Sequence, residues 1–136
     1  FLALFFLGQQ SDFFQKKSSE IVILSDQLAY EKGSNIPFTG IAIYNLEDDP
    51  SGKSILNENE QIPYGKKDNE IIIESEHTYK KGKKFGPYKI TYKDLSFETG
   101  NLITILHPVD GLVTRNVGVN RRYRSSGLLH HEIHFY

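Results

Sequence analysis

Two stretches of the chain echo one pattern, a tyrosine followed by a charged pair, a glycine and then a further glycine and aromatics, and a third, degenerate copy ends the chain. Tyr30-Glu31-Lys32-Gly33 leads to Gly40 and Tyr44. Tyr79-Lys80-Lys81-Gly82 leads to Gly86, Tyr88 and Tyr92, and Tyr123-Arg124-Ser125-Ser126-Gly127 leads to Glu132 and Phe135. A Lys-Gly or Ser-Gly pair suits a tight turn with positive φ, and aromatics two residues apart cover one face of a strand. Each unit therefore reads as a β-hairpin. One hairpin cannot bury its own apolar face, so the units must associate side by side.

With 136 residues there is room for one such assembly and not for two ordinary domains. The expected fold class is all-β, an antiparallel meander of stacked hairpins forming an elongated sheet. Expected strands are 21–24, 40–44, 70–79, 87–92, 102–106, 112–119 and 128–136, each bounded by Gly, Pro, Asn or Asp. Alternation is clearest at 87–93, where Tyr88, Ile90 and Tyr92 share one face and Lys89, Thr91 and Lys93 the other. It recurs at the end, where His131, Ile133 and Phe135 alternate with His130, Glu132 and His134. The stretch 45–69 is polar, with two Pro and two Gly, and reads as a long insert with local pairing around 54–56 and 61–64. Residues 1–20 read as a separate arm. Their apolar start, FLALFFL, is seven residues long, too short to span a bilayer and suggestive of a signal-peptide remnant. Export to the periplasm or beyond would follow from that remnant, and a cytoplasmic location otherwise.

These stretches resemble the MORN-repeat variant family, whose bacterial members are often labelled YwqK-type antitoxins. The matching segments are YEKGSNIPFTGIAIY, SEHTYKKGKKFGPYKITYKD and YRSSGLLHHEIHFY. The family's first unit carries Pro-Phe-Thr-Gly, here Pro37 to Gly40, and its later units read Tyr-x-x-Gly-Lys-x-x-Gly, here Tyr79, Gly82, Lys83 and Gly86. The polar insert and the stretch 95–119, which has no clean unit, depart from that pattern. The resemblance implies a repeat domain over 21–136 and a non-catalytic, protein-binding role. In some relatives that role is proposed to be neutralisation of a cognate toxin, an immunity-type function.

Chemistry-bearing residues are few. With no Cys, disulfides, thiolate metal centres and a cysteine nucleophile are excluded. Ser51-Gly52-Lys53-Ser54 ends like a phosphate-binding loop, but Glu47 stands where the first glycine belongs. No nucleophile elbow is present, and the acidic pairs Asp48-Asp49 and Glu58/Glu60 sit in the polar insert, where no formed cleft is expected to tune a catalytic carboxylate, so the chain reads as no enzyme and as needing no cofactor. On one strand face, His130, Glu132 and His134 would form the one candidate metal-ligand set, although same-face neighbours about 7 Å apart are widely spaced for one ion.

Charge divides along the chain. Residues 1–76 hold 6 Lys and Arg against 13 Asp and Glu, and residues 77–136 hold 10 against 4. Within the basic half, Lys80, Lys81, Lys83 and Lys84 interleave with Tyr79, Phe85, Tyr88 and Tyr92, and Arg121 and Arg122 extend the positive character, on the expectation that they flank the same face. Such a basic and aromatic surface suits an acidic protein partner. Anionic lipid or polymer is the alternative, bound at the same face of an envelope-side module, and nucleic acid is disfavoured.

Overall fold

The computed structural model describes residues 15–50 and 67–136, which are all-β apart from two 3₁₀ turns, Ser18–Glu20 and Asp68–Glu70. Nine strands are present in this part of the chain: β1 Gln15–Lys17, β2 Ile21–Ile23, β3 Ala29–Glu31, β4 Gly40–Asn45, β5 Ile72–Lys80, β6 Lys83–Tyr92, β7 Phe97–His107, β8 Gly111–Tyr123 and β9 Leu129–Phe135. One seven-stranded sheet runs β1-β4-β5-β6-β7-β8-β9, and β2 and β3 form a small hairpin beside it. From β4 to β9 every neighbour pair is antiparallel and consecutive among the described strands. Among the described residues no helix is long and apolar enough to cross a membrane.

All seven expected strands are present, several of them longer than the alternation alone marks. Residues 15–20, which the sequence places in the N-terminal arm, are ordered, and β1 pairs in parallel with β4 through Lys16 opposite Ala42. Expected pairing at 54–56 and 61–64, and the apolar run at 1–7, lie outside the described residues.

Turn chemistry follows the local sequence. The β5–β6 connection is a two-residue turn with Lys81 at φ 51 and Gly82 at φ 82, the doubly left-handed geometry that matches strand twist. Three other connections close in one way. The Gln27 amide donates to Leu24 O, Leu95 to Tyr92 O and Gly127 to Arg124 O, each from a residue with positive φ.

Registers put Ala42 and Tyr44, Ser75 and His77, Tyr88 and Tyr92, Glu98 and Gly100, and Asn120 and Arg122 on one face. On this face Ala42, Tyr44, Ser75, Tyr88, Tyr92 and Asn120 are buried. The Tyr88 ring lies flat across Gly100, its cross-strand partner, where an added Cβ would come within 2.8 Å of the ring. On the opposite face Phe97 stacks on Tyr123 with centroids 4.7 Å apart, and the Lys89 ammonium sits 4.9 Å above Phe97.

Candidate functional site

The lysine-rich turn is held in place from below. The Gly82 amide donates to Phe38 O at 2.7 Å, its carbonyl accepts from the Ala29 amide at 2.9 Å, and the Lys81 amide donates to Thr39 Oγ1 at 2.9 Å. Phe38 in turn donates to Ala29 O at 2.8 Å, and Pro37 bridges Tyr30. The Pro-Phe-Thr-Gly segment is therefore a strap that ties the β2–β3 hairpin to the β5–β6 turn. On this fixed backbone Lys80 stands directly opposite Lys83, with exposed Lys81 between them. Like charges paired across a turn destabilise a hairpin. Part of that repulsion is offset by Phe85, whose exposed ring lies 5.5 Å from the Lys80 ammonium.

Two other turns lie at the same end of the sheet. Leu28 abuts Gly82, and Gln27 Oε1 accepts the Leu112 amide at 3.0 Å, which joins the β2–β3 turn to the tip of the β7–β8 hairpin. These tips carry unburied apolar side chains: Leu24 is 46% exposed, Leu106 76% and Val109 85%. Sequence reasoning missed them as a surface. The one available signal was Val109, an aliphatic residue in a turn, where polar residues are the rule; Leu24 and Leu106 stood at the ends of expected strands.

Of the other expected binding residues, Lys84 is half-buried at the base of the turn. Tyr79 is also half-buried, tilted against Phe38 at 5.9 Å, and burial pushes its hydroxyl up to about 12. Tyr88 and Tyr92 belong to the interior, a correction to their assignment as contact residues. Both point to the buried face, where no partner ring could stack on them. Their hydroxyls reach Glu98 at 2.7 and 2.9 Å, and their ionisation is raised by burial first and then by that carboxylate.

Glu98 is the hub of this cluster. Asn120 donates to its Oε2 at 3.1 Å and also to the Tyr88 hydroxyl, and the Arg122 guanidinium lies 3.9 Å from its Oε1. Burial raises the Glu98 carboxyl, but the hydrogen bonds from Tyr88, Asn120 and Tyr92 outweigh it and the net shift is downward. His77 stacks parallel to Tyr88 with centroids 5.6 Å apart and is pushed down to about 3, chiefly by burial and then by Lys84.

Arg121 and Arg122 do not share a face, because neighbours on a strand point opposite ways. Arg122 turns inward, 4.0 Å over the Tyr92 ring, and donates to Asn69 O at 2.7 Å. Arg121 turns outward to Glu132 Oε1 at 2.9 Å. Nor does either arginine join the lysine turn, since Lys83 and Tyr92 are the two ends of a 10-residue strand, roughly 30 Å long at the usual rise.

The histidine set is also rearranged. Register skips His130, with Leu129 opposite Tyr123 and His131 opposite Arg122, so His130 is bulged out of the alternation. Its Nδ1 lies 3.0 Å from that of His131, while Glu132 Oε2 meets His134 Nε2 at 3.3 Å. Among the described residues no cluster of three His, Asp or Glu side chains is placed to hold a metal ion.

Compared with protein-family models, with curated proteins and with solved structures, the chain matches none. The functional reading accordingly rests on the geometry above and on the residues quoted for the family resemblance.

Proposed function

We propose that the chain is a non-enzymatic binding module that takes a protein partner at its lysine-bearing end, in the manner of the antitoxin and immunity proteins that it resembles. The observation that carries this reading is Lys80 facing Lys83 across a turn pinned by Ala29, Phe38 and Thr39. That arrangement costs stability and fixes a positive surface in place, a combination suited to recognition of an acidic partner. Exposed Phe85, Leu24, Leu106 and Val109 supply the apolar contacts that a partner would desolvate.

Affinity capture from source cells, read by mass spectrometry, tests this with the triple variant Lys80→Glu, Lys81→Glu, Lys83→Glu as control. The expected result is one stoichiometric protein recovered by the wild type and lost with the variant, whose unfolding midpoint stays close to that of the wild type. Recovery unaffected by the triple reversal overturns the assignment of this surface. The lysines and apolar tips together also favour a second reading, attachment to anionic lipid or polymer. Sedimentation with anionic vesicles that falls steeply with salt would establish it in place of the first.

A further inference from the structure

The two edges of the large sheet are treated differently. At one end β1 covers the outer side of β4. At the other, β9 is paired on its β8 side only among the described residues, which leaves a row of backbone donors and acceptors along its outer side. Edge strands are usually blunted by Lys, Pro or a bulge. A bulge is present at His130, but the five residues that follow, His131 to Phe135, are in regular register with β8 and contain neither Lys nor Pro. Ile133, at their centre, is 46% exposed.

We infer that this edge pairs with a second copy of the same chain, antiparallel, across a two-fold axis at Ile133. The argument is the self-complementarity of the five residues. With the axis normal to the sheet, residues whose numbers sum to twice 133 face each other on the same side. Ile133 then meets Ile133 of the second copy, and His131 meets Phe135. Glu132 meets His134 of the second copy, and the symmetry makes this contact twice. On that face Arg121 already holds Glu132 Oε1 at 2.9 Å, while Oε2 has only the longer 3.3 Å contact to its own His134. A second imidazole is therefore accepted on an oxygen with capacity to spare. The dimer joins the two sheets edge to edge and leaves both lysine-bearing turns outside the contact. As a short edge pairing it is concentration-dependent rather than obligate.

The full chain tests this directly, because with no Cys it accepts single cysteines without background. Sedimentation velocity over a wide concentration range is expected to show a monomer–dimer equilibrium. Ile133→Lys, at a half-exposed position, should weaken the equilibrium at least about tenfold by placing two ammonium groups face to face, with the unfolding midpoint reporting that the fold is kept. Ile133→Cys should oxidise to a covalent dimer much faster than Lys81→Cys, which sits at the other end of the sheet. The triple lysine reversal should leave dimerisation unchanged, which separates this result from the partner-binding test. A chain that stays monomeric throughout, a dimer indifferent to Ile133→Lys, or equal cross-linking rates for the two cysteine variants would overturn the inference. A monomeric chain would leave the edge to a strand from a different protein.

Discussion

Replacing Gly82 by alanine tests how far the turn end depends on one backbone position. Two costs are separable at this residue. Its φ of 82 is left-handed, which charges a non-glycine residue about 1–2 kcal/mol. Space is the second cost, since an added Cβ would lie 2.9 Å from Leu28 Cβ and 3.1 Å from Ala29 O. The carbonyl belongs to backbone held in place by the Phe38 amide, so it cannot swing aside as a side-chain tip would. Overpacking of this kind costs about 1–3 kcal/mol. Gly33 supplies the control, with a φ of 84 and nothing within 4 Å of its added Cβ. In urea unfolding, Gly33→Ala should lose about 1 kcal/mol and Gly82→Ala about 3 kcal/mol. At about 4 °C per kcal/mol for a chain of this size, the thermal unfolding midpoints should separate by about 8 °C. Equal losses in the two variants would refute the idea that the strap holds Leu28 and Ala29 rigidly against the turn.

Three further outcomes follow from the same geometry. Leu95 has φ 68 and is 60% exposed, so Leu95→Gly should raise stability by about 0.5–1 kcal/mol in thermal unfolding. His77 takes up a proton near its ordinary 6.5 when unfolded but only at about 3 when folded. The unfolded chain thus binds more protons in that window, and the His77 contribution to stability falls as pH drops from 6.5 toward 3, by at most about 1.4 kcal/mol per pH unit. His77→Gln should flatten that part of the urea-midpoint profile, and an unchanged slope would contradict the burial of His77. Glu98→Ala strands the Tyr92 hydroxyl, while Tyr88 keeps Asn116 Oδ1 at 3.1 Å and Asn120 keeps the Tyr88 hydroxyl, and should cost about 1–3 kcal/mol by urea unfolding.

The parts of the fold that were readable in advance are those whose cause is local. Tyr88, Ile90 and Tyr92 alternate with polar residues, and the Lys81-Gly82 pair carries the turn in its own dihedral preferences. Strand β1 was not readable, since Gln15, Lys16 and Lys17 have no apolar alternation and are ordered by parallel pairing with β4. Strand β3 is three residues long, too short for a periodic signal. For the site, the lysines were legible as a cluster because they lie on both sides of Gly82 in one short stretch. The separation of Arg121 from Arg122 was legible in principle from strand parity alone. The Glu98 cluster was not, because it is assembled from three strands and the order of those strands is not local information. Its one sequence trace is chemical: tyrosines on a covered face need acceptors, and Glu98 is the carboxylate next along the chain after the β6–β7 turn.

Where the aliphatic and aromatic residues have gone bears on function. The buried apolar set is Ala29, Tyr30, Phe38, Ala42, Tyr44, Tyr88 and Tyr92, with no Leu, Ile or Val among the described residues. Four of these are tyrosines, and each hydroxyl has its own acceptor: Tyr30 on Asp26, Tyr44 on Asp49 O, and Tyr88 and Tyr92 on Glu98. A one-residue slip of β6 would turn Tyr88 and Tyr92 to the other face and break both bonds to Glu98. Directional bonds therefore do in this interior what tight aliphatic packing does in others, fixing one register. Leu24, Leu106 and Val109 are left exposed at the tips and Ile133 on β9, which among the described residues is paired on one side only. Leu95 and Leu128 are exposed too, on turns at the opposite end, but at the lysine end and along β9 the exposed apolar side chains are where association would remove apolar surface from water. The same distribution thus supports both contacts, a partner at the turns and a second copy at β9, without requiring either surface to serve twice.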